Sequence, residues 1–294
     1  MNQEKQLIKV ISPKEKHWVG DGFYVSSIFS MHSENNKHIT PFLLLDHAKP
    51  KYFPPTDKKL GVGEHPHRGF ETVTMAIKGE VEHRDSGGGG GVISTGGVQW
   101  MTAGSGVVHD EFHSKNFAKK GGIFEMVQLW VNLPAINKMT KPRYQSFENK
   151  DFPVVKLKNG TKFKIIAGSF GNSFSPVKTF TKINIFEVNS KQNSNVKLNF
   201  ADKTNTLILQ LEGISFFRDQ ALKEENLAIF SRNGTLINLN INKNSKILVL
   251  NGEPIDESLA AYGPFVMNNK KQLIDAFQDF HEGLMGNLVV ENLV

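Results

Sequence analysis

The sequence contains no cysteine among its 294 residues. Disulfide bonds, thiolate catalysis and cysteine-ligated zinc sites are therefore excluded. A metal bound by side chains of this protein would have to take histidine and carboxylate ligands. The lack of cysteine is also compatible with a reducing compartment, and we expect a cytoplasmic location.

Long apolar runs are absent as well. No stretch approaches the roughly 18 apolar residues that a membrane helix needs. The segment MNQEKQLIKVISPKEK carries charges where a secretory signal would have its apolar region. We therefore expect a soluble globular protein without a membrane partner, and 294 residues suffice for two domains that each bury a core.

The positive charge is not concentrated in any one segment. The formal net charge is +6, and the lysines are spread over the whole sequence. Nucleic-acid-binding proteins usually gather their basic residues on one element. We therefore expect a solvated basic surface and no direct binding of nucleic acid.

Short alternating runs separated by glycine and proline predict an all-β protein built as a sandwich or barrel. The predicted strands in the first half are residues 7–11, 23–29, 42–45, 71–78, 81–85, 92–102, 106–113 and 123–132. Those in the second half are residues 162–167, 182–188, 206–211, 214–218, 227–230, 235–241 and 246–250. The five glycines of residues 87–91 predict a mobile loop, because a run of glycines holds no fixed path without outside contacts. A phosphate-binding loop is disfavoured, since the Lys-Ser/Thr of a nucleotide-binding loop is missing.

The polar, proline-bearing residues 135–153 are the predicted linker. They would separate an N-terminal domain, 1–134, from a C-terminal domain, 154–294. A short repeat indicates duplication: KGEVEHRD (78–85) and EGISFFRD (212–219) share the glycine and the closing Arg-Asp. No histidine occurs between His113 and His281, so the second domain cannot assemble an imidazole site and is expected to shape or support the first.

The chain is predicted to end in an amphipathic helix. Asn268 is the expected N-cap, Gly283 the stop, and His281 a surface residue. The apolar residues at helical spacing are Leu273, Ile274, Phe277 and Phe280.

Two pairs of potential metal ligands lie within residues 63–113. His65 and His67 are two residues apart, as are His109 and Glu111, and residues at this spacing on a strand point to one face. Antiparallel strands separated by a hairpin can bring the two pairs together. Three imidazoles and a carboxylate suit Fe, Mn, Ni, Cu or Zn and leave one or two positions for substrate and oxygen.

Several motifs resemble those of the pirin family of two-domain cupins. They are HPHRGFETVT, GEVEHRDS and VQWMTAGSGVVHDE, preceded by FLLLDH and followed by YGPFVMNN, and the resemblance covers nearly the whole chain. It implies a bicupin with two β-sandwich or barrel domains of double-stranded β-helix type and a C-terminal helix. It also implies one divalent metal held by His65, His67, His109 and Glu111. Iron is the family's usual metal, and Mn, Ni, Cu, Co and Zn are alternatives.

The fourth ligand has an alternative in Glu71. The spacing His65-x-His67-x3-Glu71 is also that of the generic cupin first motif, whose glutamate binds metal. If no bulge intervenes, Val73 and Met75 share the face of the two histidines. We favour Glu111 as the ligand, and either carboxylate, Glu71 or a detached Glu111, could take a proton from a substrate hydroxyl as the catalytic base.

The remaining polar residues near the motifs have weaker assignments. We expect His113 to be solvated and His83 to lie on the outer face of its strand. Arg68 could hold a ligand carboxylate by a bidentate contact. In the family pattern, Asp46 and His47 lie near the entrance to the site.

The resemblance implies two functions. In the first, the protein is a dioxygenase like quercetin 2,3-dioxygenase, which cleaves a flavonol with O2 and releases carbon monoxide; its partners are a small aromatic substrate and O2. In the second, it is a non-catalytic, redox-sensitive regulator that binds a transcription factor or a metabolic enzyme. A third reading, in which the histidines only fill a polar interior, predicts a metal-free protein.

Overall fold

The computed structural model describes residues 3–13, 15–33 and 36–288. The strands of the first half are β1 (Leu7–Ile11), β2 (Lys16–Val19), β3 (Phe23–Phe29), β4 (Phe42–Phe53), β5 (Gly61–His67), β6 (Phe70–Lys78), β7 (Val81–Asp85), β8 (Gly90–Ile93), β9 (Val98–Thr102), β10 (Val107–His113), β11 (Gly122–Asn132), β12 (Arg143–Phe147) and β13 (Val154–Lys156). Those of the second half are β14 (Lys162–Ala167), β15 (Ser169–Phe170), β16 (Ser173–Phe174), β17 (Ile183–Ser190), β18 (Ser194–Asn199), β19 (Asn205–Glu212), β20 (Ser215–Phe217), β21 (Gln220–Leu222), β22 (Leu227–Phe230), β23 (Leu236–Ile241), β24 (Ser245–Gly252), β25 (Ala260–Tyr262) and β26 (Phe265–Met267). The helices are α1 (Asn36–Ile39), α2 (Lys115–Lys120) and α3 (Lys270–His281).

The chain folds into two compact units. Within the described residues, unit A comprises 15–27, 44–149 and 257–288, and unit B comprises 3–13, 28–43 and 150–256. The all-β fold class with a C-terminal helix is confirmed. No helix in the described part of the chain has both the length and the apolar composition needed to cross a membrane.

Unit A is a β-sandwich. A seven-stranded sheet in the order β12-β9-β6-β11-β4-β3-β2 faces a four-stranded sheet in the order β5-β10-β7-β8. Phe23, Ala76 and Phe124 from the larger sheet pack with Val81 and Ile93 from the smaller one in a shared core. Burial of these apolar faces holds the sheets together.

Unit B repeats this architecture. Its seven-stranded sheet runs β1-β22-β19-β24-β17-β14-β13, and its four-stranded sheet runs β18-β23-β20-β21. The run β9-β6-β11-β4 of unit A corresponds strand for strand to β22-β19-β24-β17, and the two smaller sheets correspond throughout. The shared sheet order supports the predicted duplication, and β18 and β23 occupy the places of the histidine-bearing strands β5 and β10.

The two units differ from the predicted division of the chain into halves. Strand β1 pairs with β22 of unit B, whereas residues 257–288 belong to unit A. The predicted linker contains β12, which pairs in register with β9 from Arg143↔Thr102 to Phe147↔Val98. Pairing between distant segments depends on the tertiary fold, so composition alone did not show it.

Two local predictions were wrong in detail. The predicted loop of residues 87–91 is shorter than expected, because Gly90 and Gly91 belong to β8, and in its first part Asp85 Oδ1 accepts hydrogen bonds from Gly87 N at 2.8 Å and Gly89 N at 3.0 Å. The N-cap of α3 is Asn269, whose side chain accepts from Gln272 N, rather than Asn268.

The core-facing residues of α3 were mostly predicted. Leu273, Phe277 and Phe280 pack beside Phe265, whereas Ile274 is 57% exposed. The helix ends at His281, as expected from Gly283, whose φ is +73°. His281 is exposed, as predicted.

Candidate metal centre and cavity

Three predicted histidine ligands come together on two adjacent strands of unit A. Strands β5 and β10 pair antiparallel with His109 opposite His65, and Val107 lies opposite His67. The ring centroids are 4.2 Å apart for His65 and His109, and 4.8 Å apart for each of the other two pairs. One nitrogen of each ring lies within 4.8 Å of the others, so the three imidazoles can share a metal ion.

Hydrogen bonds at the Nδ1 atoms orient the three rings. The Nδ1 atom of His65 lies 2.8 Å from Gly63 O, and that of His67 lies 3.3 Å from Pro264 O. Because a carbonyl oxygen only accepts, each Nδ1 carries the proton and each Nε2 keeps its lone pair. In His109, Nδ1 lies 2.8 Å from His83 Nε2, which leaves Nε2 as the outward-facing nitrogen of this ring as well.

The buried environment fits a metal ion. The Nε2 atom of His109 has no hydrogen-bond partner within the described residues, although the residue is fully buried. Burial lowers the pKa of His65, His67 and His109, so all three rings are neutral and offer lone pairs at neutral pH. An unpaired buried nitrogen is costly, and ligation of a metal would satisfy it.

The fourth predicted ligand, Glu111, lies beside this group rather than within it. The pairing of β10 with β5 shifts between His109 and Glu111, which is a local bulge. Glu111 belongs to a second group of potential ligands with His83 and His109. Its Oε1 accepts from Thr74 Oγ1 at 3.1 Å, and burial raises the pKa of the Glu111 carboxyl to about 7.

The structure does not bring Glu71 to the imidazoles. Glu71 Oε1 accepts from Thr102 Oγ1 at 2.7 Å and lies 3.8 Å from Arg143 Nη2. Thr74, three residues further along β6, contacts Glu111, so Glu71 projects from the opposite face of the strand. Glu71 belongs to neither group of potential metal ligands among residues 3–13, 15–33 and 36–288.

The side chains of β6 that face the histidines were predicted wrongly, because the chain turns before this strand. Gly69 has φ of +86°, and a Cβ atom there would lie 2.0 Å from Val266 O. This turn resets the alternation between β5 and β6, so Val73 does not share the face of His67. Phe70 does, with its ring 5.0 Å from that of His67.

His83 was expected on the outer face of its strand, and this prediction was wrong. It is 1% exposed, its Nε2 contacts His109, and its ring stacks on Tyr144 at 5.3 Å. Val81, His83 and Asp85 are alternate residues on β7 and are all buried. This alternation was visible in the sequence and could have identified His83 as an interior residue.

Two further assignments are corrected. His113 is not solvated: it is 3% exposed, its Nε2 lies 3.0 Å from Gly22 O, and burial among phenylalanine rings lowers its pKa to about 4. Arg68 does not hold a ligand carboxylate. Its Nε donates to Ser105 O at 2.6 Å, and its Nη2 lies 2.8 Å from Asp279 Oδ2.

A cavity of about 280 Å³ opens at the histidine group. His65, His67 and Glu111 line one part of it, and the remaining wall is mostly apolar. The apolar lining residues are Val19, Phe23, Val25, Leu44, Val62, Met126, Trp130, Gly263 and Pro264. Small-molecule sites are typically apolar cavities with a few polar groups.

The polar groups of the cavity wall other than the predicted ligands are Asp46 and Gln128. Asp46 Oδ1 accepts from Ser27 Oγ at 2.5 Å, and Gln128 contacts Thr74 at 2.8 Å. Asp46 was expected near the entrance, whereas His47 is fully buried and lies 3.8 Å from Glu125. Thr74 and Gln128 were missed because an isolated polar residue on a buried strand carries no sequence signal.

Two β-sandwich units of the same sheet order, one of them with converging imidazoles at an apolar cavity, define a bicupin with one potential metal centre. The chain belongs to the pirin family. The Pirin family model matches residues 23–131, and the model of the Pirin C-terminal cupin domain matches residues 185–286.

Two known proteins match this chain over almost its whole length, and a third shares its fold. A Pseudomonas aeruginosa protein named "Putative quercetin 2,3-dioxygenase" is 43% identical over 280 residues, which cover 95% of this chain and 98% of the relative. A crystal structure of quercetin 2,3-dioxygenase from Acinetobacter baumannii is 45% identical with a TM-score of 0.94, and the match covers 98% of this chain and 100% of that chain. A bacterial pirin from Escherichia coli in complex with nickel(II) shares the fold at 19% identity, with a TM-score of 0.63 over 84% of this chain and 100% of that one.

Proposed function

We propose that this protein is a metal-dependent cupin dioxygenase that cleaves quercetin or a similar flavonol or enol with O2. The observation that carries the proposal is the convergence of His65, His67 and His109 at one end of an apolar cavity. The names of the similar proteins point to the same substrate class. A purely regulatory protein would need the ligands but no substrate-sized cavity, so the cavity favours the enzyme.

The residues proposed to hold the metal are His65, His67 and His109 through Nε2, with Glu111 as the fourth ligand. The metal is a divalent transition ion, iron in our proposal, with Mn, Ni, Cu, Co and Zn as alternatives; the E. coli pirin complex contains nickel. When bound, such an ion supplies Lewis acidity and, for iron, one-electron redox chemistry.

The protein's own groups would bind the substrate and move its proton. Trp130 and Phe23 present flat apolar surfaces that hold an aromatic ring and exclude water. Glu111 lies at the boundary between the histidines and the cavity, and its pKa of about 7 suits a general base at neutral pH. Once detached from the metal, Glu111 is therefore proposed to accept the proton of the reacting hydroxyl, a role for which Glu71 is misplaced.

The test combines metal analysis with turnover. Protein purified without chelator is analysed for metals, loaded with iron under nitrogen, and mixed with quercetin in air. Loss of flavonol absorbance with release of carbon monoxide is expected, and both should disappear with a chelator and in His65→Ala. The exposed His281→Ala is the matched control and should retain activity. A metal-loaded protein with no turnover of any flavonol would contradict the proposal.

A further inference from the structure

The hydroxyl of Thr74 contacts two acceptors at once. Its Oγ1 lies 3.1 Å from Glu111 Oε1 and 2.8 Å from Gln128 Oε1. A threonine hydroxyl has one proton and can donate only one of these hydrogen bonds. In one of the two contacts, Thr74 Oγ1 must therefore accept the hydrogen bond rather than donate it.

The charge of Glu111 decides which contact is reversed. As a metal ligand, Glu111 is a carboxylate and can only accept, so the Thr74 proton goes to Glu111. Thr74 Oγ1 must then accept from Gln128, which requires the amide nitrogen of Gln128 to face Thr74. The oxygen and nitrogen of a glutamine amide are assigned from their hydrogen bonds, and a half-turn of the amide exchanges them.

This half-turn changes what the cavity presents to a ligand. Gln128 lines the cavity, and the only hydrogen bond of its side chain within the described residues is the one to Thr74. With the nitrogen on Thr74, the carbonyl oxygen faces the cavity. Asp46, on the neighbouring strand β4, also lines the cavity, and one of its oxygens accepts from Ser27 Oγ.

We propose that Gln128 is a specificity-determining residue whose carbonyl oxygen, oriented by Thr74 and Glu111, accepts a hydrogen bond from a hydroxyl group of the substrate. Together with the Asp46 carboxylate it forms a wall of acceptors, so the cavity selects a polyhydroxylated aromatic ring over its methyl ethers. The inference rests on the proposed function in one respect, the assignment of Glu111 as a metal ligand.

The first test locates the hydrogens directly. Neutron diffraction of deuterated, zinc-loaded crystals is expected to show the Thr74 hydroxyl deuterium directed at Glu111 and the deuterated amide nitrogen of Gln128 directed at Thr74. A nitrogen of Gln128 facing the cavity would overturn the proposal. This measurement needs neither substrate nor turnover.

The second test measures ligand binding without reaction. Quercetin and its mono-O-methyl ethers are titrated into zinc-loaded protein under nitrogen, with quenching of tryptophan fluorescence as the signal. Loss of a hydrogen-bond donor opposite a buried acceptor costs roughly 1–3 kcal/mol, so at least one ether should bind about 10- to 100-fold more weakly than quercetin. In Gln128→Leu this difference should fall below about threefold, since the acceptor is gone.

Variants of Thr74 provide the matched control. Thr74→Ser keeps the hydroxyl and should keep the discrimination, whereas Thr74→Val releases Gln128 and should reduce it. An ether penalty equal in wild type and Gln128→Leu would overturn the proposal. If these binding results hold but the iron-loaded protein does not cleave quercetin, the proposed reaction is wrong and the specificity role of Gln128 stands.

Discussion

The Nε2 atom of His83 lies 2.8 Å from the Nδ1 atom of His109 in the interior of unit A. Burial lowers the pKa of His83 to about 3, so both rings are neutral and share a single proton along this contact. A metal on Nε2 of His109 would require that proton to be on Nδ1, with His83 as its acceptor. His83 thus takes the place that a carboxylate or backbone carbonyl often has behind a metal-bound histidine.

Replacement of His83 should therefore weaken metal binding. Removal of a group that orients a ligand typically costs 10- to 100-fold in affinity, and we expect about this loss in His83→Leu. Competition with a chromophoric chelator measures the affinity. His83→Gln, whose side-chain oxygen can accept from Nδ1, should recover part of the loss. If His83→Leu and His83→Gln bind metal as tightly as wild type, His83 does not position His109.

Metal affinity should fall with pH below about 7 because burial raises the pKa of Glu111 to about that value. The protonated carboxyl must lose its proton to bind metal, so the affinity should drop about tenfold per pH unit below the pKa. Burial lowers the pKa of His67 and His109 well below the usual 6.5, so these two rings stay neutral while Glu111 titrates.

Titrations between pH 5.5 and 8 measure this dependence, and calorimetry in buffers of different ionisation enthalpy counts the proton released. Glu111→Gln should bind more weakly and show little pH dependence over the same range. A flat profile in the wild type would mean that Glu111 is not a ligand.

Glu71→Gln should leave metal content and quercetin turnover near wild type, because Glu71 contacts Thr102 on the other face of β6. It should also change stability. Burial raises the pKa of Glu71 from 4.5 to about 7. The stabilising contribution of the protonated carboxyl to the unfolding free energy is therefore fully present below about pH 4.5 and is lost as the pH rises through 7.

Wild type loses this contribution between pH 5 and 8, whereas the variant has no such titration. The unfolding free energy of the variant minus that of wild type should therefore rise by a few kcal/mol over this range. Urea unfolding of the metal-free proteins at both pH values measures the difference. Loss of turnover in Glu71→Gln with metal content unchanged would instead support Glu71 as the base.

Lys138→Met should destabilise unit A. The fully buried Nζ of Lys138 lies 2.8 Å from Gly69 O, 2.6 Å from Asn132 Oδ1 and 3.0 Å from Val266 O. Burial lowers the pKa of Lys138 to about 7, and the three acceptors match the three protons of the ammonium form. The variant leaves these acceptors buried without donors, at a cost of about 3 kcal/mol or more. Urea unfolding measures the loss, and the exposed Lys119→Met is the control. Equal stability of the two variants would contradict this role.

Metal affinity should fall as well in Lys138→Met. Gly69 lies two residues after His67, and Val266 lies two residues after Pro264, whose carbonyl orients the His67 ring. The lysine therefore joins the two segments that position this ligand.

Local patterns in the sequence determined much of the structure. Alternation of apolar and polar residues predicted five strands with the bounds observed, among them β3 and β7. The spacing of His65 and His67 placed both rings on one face, since a strand has a period of two residues. The absence of histidine from residues 114–280 excluded an imidazole site built from the second half of the chain.

Only the tertiary structure decided which groups surround the histidines. Glu71 faces away because a turn at Gly69 resets the alternation, and Gln128 meets Thr74 because β11 pairs with β6 in that register. Lys138 lies in a polar segment that composition assigned to a linker, yet it is buried by residues about 70 and 130 positions away. Period and composition are local properties of a chain, whereas the neighbours of a side chain are set by pairing between distant strands, and these long-range pairings give the site its shape.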